Sequence, residues 1–230
     1  MAHHNRLSVR YLGKCVVTLI ALIVQSALFG EIALAQGAAQ AFAAFGKGGV
    51  QGINATIWTA QQGNFNNNWV ASPVGVCTTT PPCTGFFIET GYFKGYGMPG
   101  AQDNVLQQYA AWKAPDGVID NLFGLGNLAD NTWYTFTVVT KPAKSRWDLK
   151  RDGVIIYKVP YGWLNFSVGR MVACGGEAWN NGTDIAVECS NMHYRYDGAW
   201  NSFNYTHTQI SGNYCVFKPY DFGAVGWRPC

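Results

Sequence analysis

The sequence predicts an all-β protein, an antiparallel β-sandwich of the jelly-roll type with two facing sheets. The 230 residues include 27 glycines, 13 phenylalanines, 12 tyrosines and 9 tryptophans, and only 13% of the residues are charged. Short alternating segments are separated by Gly, Asn, Asp and Pro clusters, as is typical of strands and turns. This composition excludes a disordered chain and a coiled coil. Many short strands that each bury one face require a second sheet to pack against.

Residues 1–35 have the pattern of a secretory signal peptide. Basic residues precede an apolar run over 15–29, and Ala33-Leu-Ala35 is a small-residue cleavage site. An uncleaved membrane anchor is the alternative, but the run is shorter than the ~20 apolar residues of a membrane span. We therefore expect cleavage after Ala35 and a secreted chain, extracellular or periplasmic, with no stable membrane association.

Residues 49–230 are expected to form one sandwich domain, preceded by an Ala- and Gly-rich lead-in, partly helical, over 36–48. Without the signal peptide, the chain keeps 13 basic and 12 acidic side chains. So small a charge excess argues against a nucleic-acid partner.

Strand signals recur along the whole domain. Between two of them, Arg151-Asp-Gly153 is a strong hairpin signal. The Gly95–Gly100 segment fits G-x-G-x-x-G, but no helical pattern follows, so it predicts a turn. Ala199–Asn213 is polar and aromatic and predicts a long surface loop. The predicted strands are 53–58, 86–93, 105–112, 133–140, 146–150, 154–158, 171–174, 186–196 and 214–218.

Six cysteines remain after signal removal, and an even number in an exported chain indicates disulfides. Several connectivities are open, and we favour the local pairs Cys77–Cys83, Cys174–Cys189 and Cys215–Cys230. A metal site is the alternative. It is poorly supported, because no Cys-x2-Cys occurs and the domain has only two histidines. We expect neither a metal nor a cofactor.

Of the three glutamates that follow the signal peptide, Glu89 and Glu177 are the candidates for catalysis. Glu89 lies in an apolar, aromatic strand, and Glu177 directly follows Gly175 and Gly176, which allow close backbone approach or could offer oxyanion donors. A carboxyl group buried among apolar neighbours acquires a raised pKa, which suits acid–base chemistry. The alternative is that Glu89 points to solvent as an ordinary surface charge, which is what we expect of Glu188.

Other common catalytic motifs are missing from the sequence. It contains no G-x-S-x-G, no H-E-x-x-H and no P-loop. Carboxylate chemistry or binding alone remains. A glycoside hydrolase with two glutamates and a non-catalytic sandwich that binds carbohydrate or a cell surface are therefore the alternatives to a peptidase.

Three motifs in consistent order resemble the neprosin family of glutamic peptidases. Ile88-Glu-Thr-Gly-Tyr92 resembles its Ile-Glu-Ala-Gly-Trp segment, and Gly175-Gly-Glu-Ala178 resembles its Trp-Gly-Gly-Glu-Val block. Between them, Gln108–Gly117 is similar to its aromatic-Tyr-Trp-Thr-x-Asp-Gly stretch. The resemblance covers roughly residues 49–196. It implies a β-sandwich endopeptidase with a polypeptide substrate, in which Glu89 and Glu177 are the two catalytic glutamates.

Two carboxyl groups that face each other should share one proton, so that one acts as general base on water and the other as general acid. We therefore expect activity in acid. Four aromatic residues beside the motifs could line a substrate groove, although at least two of them are better explained as core. They are Tyr92, Tyr109, Trp112 and Trp179.

Overall fold

We analysed a computed structural model of the chain. It describes residues 39–59, 69–80, 83–178, 187–202, 207–211, 214–221 and 224–229, with side chains from 41 to 202 within those ranges. The predicted signal peptide lies outside the described residues. No helix in the described ranges is long and apolar enough to cross a membrane.

The described chain is built almost entirely from strands, with one 3-10 turn (Pro142–Lys144) and one short helix, α1 (Tyr161–Leu164). The strands are β1 (Ala39–Thr59), β2 (Trp69–Cys77), β3 (Phe87–Gly95), β4 (Gln107–Lys113), β5 (Ile119–Leu122), β6 (Thr132–Lys141), β7 (Arg146–Arg151), β8 (Val154–Pro160), β9 (Gly169–Ala178), β10 (Val187–Tyr196), β11 (Ala199–Ser202), β12 (His207–Ser211), β13 (Tyr214–Asp221) and β14 (Ala224–Pro229).

The 21-residue strand β1 belongs to both layers of the fold. Its first half pairs with β9 and β12, and its second half pairs with β6 and β10, with a register irregularity between Gly46 and Val50. The first layer therefore runs β12-β1-β9-β2-β3-β4-β5, and the second runs β13-β14-β10-β1-β6-β7-β8, with β11 beside β10. All these pairs are antiparallel. One continuous sheet thus curls onto itself and confirms the all-β sandwich.

Two apolar clusters cover the first layer, one on each face. The larger cluster lies between the layers and joins side chains such as Val74 and Ile88 to Phe136 and Trp147 of the second layer. The smaller cluster covers the other face of the first layer and includes Phe42, Trp69, Phe87, Phe93 and Tyr109. Every position of β2 and β3 is buried as a result. A side chain in these strands is removed from water whichever way it points.

Two of the three predicted disulfides are confirmed. Cys77–Cys83 closes the loop after β2, and Cys174–Cys189 joins β9 to β10 and so connects the two layers. The third predicted pair, Cys215–Cys230, lies outside the side chains that the structure describes.

Each predicted strand overlaps an observed one, and the predicted hairpin is confirmed. Asp152 and Gly153 both have positive φ, 49° and 81°, in the two-residue turn between β7 and β8, which matches the twist of the flanking strands. After β3 ends at Gly95, the rest of the Gly95–Gly100 segment forms bends and a turn as predicted, in which the Ala101 N–H donates to the Met98 carbonyl over 3.1 Å.

Several strand assignments were wrong or missing. Residues 39–48 of the lead-in are not helical, because they belong to β1, whose Ala/Gly-rich half lies where strands approach closely. Residues 36–38 lie outside the described residues. Ala199–Asn213 is not a long loop, because β11 and β12 lie within it. The strands β2, β5 and β14 were not predicted. In β2, burial on both faces removes the alternation that marks a strand.

Candidate active site

Glu89 and Glu177 lie on the same face of the first layer, on the two strands that flank β2. Glu89 in β3 is opposite Gly75 of β2, and Glu177 in β9 is opposite Ala71 of β2. Ala71 and Gly75 are four residues apart, and side chains alternate along a strand, so both glutamates point to one face. This is the face covered by the smaller apolar cluster, because Ala71 and its neighbour Phe93 belong to that cluster.

The sheet between the two glutamates has a proline in a central strand, which is unusual because proline has no N–H for the ladder. Pro73 of β2 is opposite Gly91 of β3. The Ser72 hydroxyl donates to the Gly175 carbonyl of β9 over 2.6 Å. This side-chain hydrogen bond joins β2 to β9 at the position where Pro73 cannot donate.

Two glycines keep the same stretch of sheet free of side chains. Gly91 comes two residues after Glu89, and Gly175 comes two residues before Glu177, so each shares the face of its glutamate. A Cβ atom on Gly91 would collide with the backbone of β2, and one on Gly175 would collide with the backbone of β1. The predicted close backbone approach is therefore found at Gly175.

Gly175 and Gly176 are interior residues of β9, paired with Phe42 and Ala41 of β1. Backbone groups inside a ladder are engaged by the neighbouring strands. This position gives no support to the prediction that the two glycines supply oxyanion donors.

Both carboxyl groups are fully buried, with no exposed surface. The hypothesis that Glu89 is a solvated surface charge is therefore wrong. It failed because the smaller apolar cluster covers the face that alternation assigns to solvent. Glu188, by contrast, is only partly buried in β10.

Tyr109 connects the apolar cluster to the glutamates. Its hydroxyl donates to Glu89 Oε1 over 2.9 Å, and both side chains are fully buried. Burial raises the pKa of the Tyr109 phenol well above its usual range, and the negative charges of Glu89 and Glu177 raise it further. A neutral Tyr109 is therefore a stable hydrogen-bond donor to Glu89.

The buried environment of the Glu177 carboxyl group favours its protonated form. Burial raises the pKa of the Glu177 carboxyl well above its usual range, and the charge of Glu89 raises it further. Within the described part of the chain, neither Glu177 oxygen accepts a hydrogen bond. A negative charge on Glu89 disfavours ionisation of Glu177, and the same repulsion acts in the opposite direction.

The four aromatic candidates lie in different parts of the structure. Tyr109 lies on the glutamate face, whereas Tyr92 and Trp112 point into the core between the layers. Tyr92 is three positions after Glu89, and an odd spacing along a strand reverses the face. Trp112 stacks on Tyr157 at 5.8 Å between ring centroids. Tyr92 is thus corrected from groove to core. Trp112 belongs to the core cluster and also lines a cavity of about 550 Å³ together with Trp163. Trp179 lies outside the described residues.

The sequence reasoning missed the roles of Pro73 and Ser72 and the hydrogen bond of Tyr109. A proline flanked by apolar residues, Ser72-Pro-Val-Gly-Val76, was the available signal for a special central strand. In the residues that the structure describes, no group of three or more His, Cys, Asp or Glu side chains could hold a metal ion.

Comparison with solved structures shows that this chain has the fold of glutamic peptidases. Scytalido-glutamic peptidase, solved with a transition state analog inhibitor, matches with a TM-score of 0.58 and 12% identity, over 84% of this chain and 98% of that one. SCP-B, a member of the eqolisin family of peptidases solved in a complex with the tripeptide Ala-Ile-His, matches with a TM-score of 0.54 and 12% identity, over 85% and 100% of the two chains. Neither a protein-family model nor a curated protein sequence matches this chain. At 12% identity the likeness concerns the fold.

Proposed function

We propose that this protein is a glutamic endopeptidase, in which Glu89 and Glu177 together activate water to hydrolyse a peptide bond in acid. The observation that carries the proposal is the pair itself, two fully buried glutamates on one face of the sheet that raise each other's cost of ionisation. The fold shared with two glutamic peptidases supports it, as does the resemblance of the flanking motifs to the neprosin family.

The pair works as a unit that holds one proton. The ionised member removes a proton from a water molecule as this attacks the scissile carbonyl carbon. The protonated member first donates a hydrogen bond to the carbonyl oxygen and then delivers its proton to the leaving amine. Because the two groups are coupled, the pair has two apparent pKa values, and neither glutamate has a fixed role as acid or base.

Tyr109 serves as a positioning residue in this scheme. Its hydroxyl donates to Glu89 Oε1 and so fixes the orientation of that carboxyl group. The phenol stays neutral because of its raised pKa, so it donates over the whole acidic range. A donor to a carboxylate stabilises the ionised form, which favours the arrangement in which Glu177 holds the shared proton.

The proposed substrate is an extended polypeptide. Pro73, Gly91 and Gly175 carry little or no side chain on this face, so a substrate backbone could approach the sheet there once the Phe42 and Tyr109 side chains opposite the two glycines have moved. Both carboxyl groups are inaccessible in this conformation, so substrate binding requires the side chains that cover this face to move apart.

We also propose that the protein is exported. The two disulfides support this, because disulfides persist in oxidising compartments and are rare in the cytosol.

The decisive experiment compares casein cleavage by the wild type and by Glu89→Gln and Glu177→Gln, from about pH 2 to about pH 7. Each substitution keeps the shape of the side chain and removes its acid–base function, so we expect a loss of about 10²–10⁴-fold in kcat. Glu188→Gln is the matched control, because it makes the same change at a partly exposed glutamate in β10.

Retained cleavage in either dyad variant would contradict the proposal, and so would an equal loss in Glu188→Gln. Release of reducing sugar from a glucan or xylan, with intact casein, would instead identify the glycoside hydrolase. Thermal unfolding of each variant shows whether a lost activity reflects chemistry or a lost fold.

A further inference from the structure

A polar cavity of about 330 Å³ opens on the outward face of the second layer, away from the glutamates. Thr137 of β6 lies opposite both Asn54 of β1 and Lys150 of β7, so these three side chains stand side by side across the sheet. Their neighbours in sequence, such as Val138 and Leu149, point into the core. The cavity is therefore built on the face that alternation turns outward.

Three cations converge on this cavity. Lys141 of β6, Lys150 of β7 and Arg195 of β10 line it, and each is partly buried. None of the described side chains that line it is acidic. Among the described residues, none of the three cations forms an ion pair, although the Arg195 Nε donates to the Gly198 carbonyl over 3.3 Å.

The acidic residues closest in sequence to Lys150 are engaged elsewhere. Asp148 is almost fully buried and pairs with the Arg146 guanidinium at 2.7 Å. Asp152 accepts the Thr135 N–H over 2.8 Å in the turn after β7. Three partly desolvated like charges repel one another, and an anion placed between them would relieve that repulsion.

The remaining lining adds hydrogen-bond donors and a flat apolar surface. The Asn54 amide donates to Thr137 Oγ1 over 2.9 Å, which leaves the Thr137 hydroxyl hydrogen free to donate. Trp200 of β11 stands beside the cations and is 44% exposed. An exposed indole next to cationic groups offers a stacking face for a ring that also carries a negative charge.

We propose that this cavity binds a carboxylate-bearing sugar ring of an acidic polysaccharide. Lys141, Lys150 and Arg195 hold the carboxylate, the Thr137 hydroxyl donates to a ring substituent, and Trp200 stacks on the apolar face of the ring. The site lies in the other layer from Glu89 and Glu177, so it anchors the protein to a matrix without taking part in hydrolysis.

A single-stranded nucleic acid would also present anions and stacking rings, but the charge distribution favours the sugar. Nucleic-acid binding needs a basic stripe that follows many phosphates. Here the three cations are gathered at one cavity, and the whole chain has a net charge of only +3.

The test is calorimetric titration of the purified protein with trigalacturonate, at about 20 mM and about 300 mM NaCl. We expect binding that weakens with salt. Lys150→Gln, Arg195→Gln and Trp200→Ala should each weaken it about tenfold or more, because each removes a charged donor or the stacking face. Arg170→Gln is the control of equal charge change, since Arg170 is exposed on β9 in the other layer, and it should leave the affinity unchanged.

The proposal is overturned by any of three results. These are no binding of trigalacturonate by the wild type, equal binding of neutral maltotriose, or equal weakening by Arg170→Gln. Tighter binding of a short oligothymidylate that responds to the same variants would assign the cavity to nucleic acid instead. Casein cleavage by the cavity variants should equal that of the wild type. The proposed sugar site and the proposed peptidase dyad are therefore tested independently.

Discussion

Replacing Glu177 by glutamine should change how the stability of the protein depends on pH. The pKa of Glu177 is raised in the folded state by burial and by Glu89, whereas in the unfolded chain it is about 4.3. Between these two values the folded protein keeps a proton that the unfolded chain has released. The folded state is therefore fully stable below about pH 4.3 and loses stability as the pH rises towards the folded pKa.

The size of this effect follows from the linkage relation. One proton of difference costs about 1.4 kcal/mol of unfolding free energy per pH unit. For a domain of this length, 1 kcal/mol shifts Tm by about 2–4 °C. The wild type should therefore lose about 3–6 °C of Tm per pH unit relative to Glu177→Gln, until the pH passes the folded pKa. The variant should match the wild type near pH 4 and exceed it near pH 7.

The assay is thermal unfolding followed by circular dichroism at half-unit steps from about pH 4 to about pH 7. Asp120→Asn is the control, because it removes an exposed carboxyl in β5, and its curve should run parallel to that of the wild type. Parallel curves of Tm against pH for the wild type and Glu177→Gln would refute the reasoning. They would mean that Glu177 ionises equally easily in the folded and the unfolded protein.

Two further substitutions test the surroundings of the pair. Tyr109→Phe removes the donor to Glu89 Oε1. It should lower kcat for casein about 10- to 100-fold, as expected for a lost hydrogen bond to a charged group. An unchanged kcat, or an equal effect of Tyr196→Phe at the exposed end of β10, would argue against a positioning role for Tyr109. Gly175→Ala forces a Cβ against the backbone of β1 and should destabilise the fold by about 1–3 kcal/mol. The measurement is unfolding in guanidinium chloride, with Gly48→Ala as the control because its Cβ meets no atom within 4 Å. Equal unfolding midpoints for the two variants would show that β1 and β9 can separate without cost.

The alternation of apolar and polar residues predicted the fold class, because most strands have one face against the core and one towards solvent. It predicted β6 and the β7–β8 hairpin well, where Phe136 and Leu149 point inward and Thr137 and Lys150 point outward. It missed β2, because burial on both faces leaves no alternation to read. It also missed the first half of β1, because alanine and glycine there serve close packing between strands rather than β propensity.

The two glutamates could be singled out from sequence because carboxyl groups are rare among apolar neighbours. Their shared face could not be predicted, since it depends on the register of β2 between them, and β2 itself was not recognised. The partner of Glu89 was equally hidden. Tyr109 is 20 positions away in sequence, and only the β3–β4 register, which places it opposite Gly91, brings its hydroxyl to Glu89.

The start of β1 limits where the proposed export signal could be removed. The strand begins at Ala39, and Gln40 is the backbone partner of Glu177 in the ladder between β1 and β9. Cleavage after Ala35 leaves only residues 36–38 as a margin before this ladder. A processing enzyme that cut a few peptide bonds later would strip β9 of its neighbour beside Glu177, and the exposed amide and carbonyl groups there would bind water. In the proposed exported peptidase, signal removal and catalysis would thus be linked through the first residues of β1.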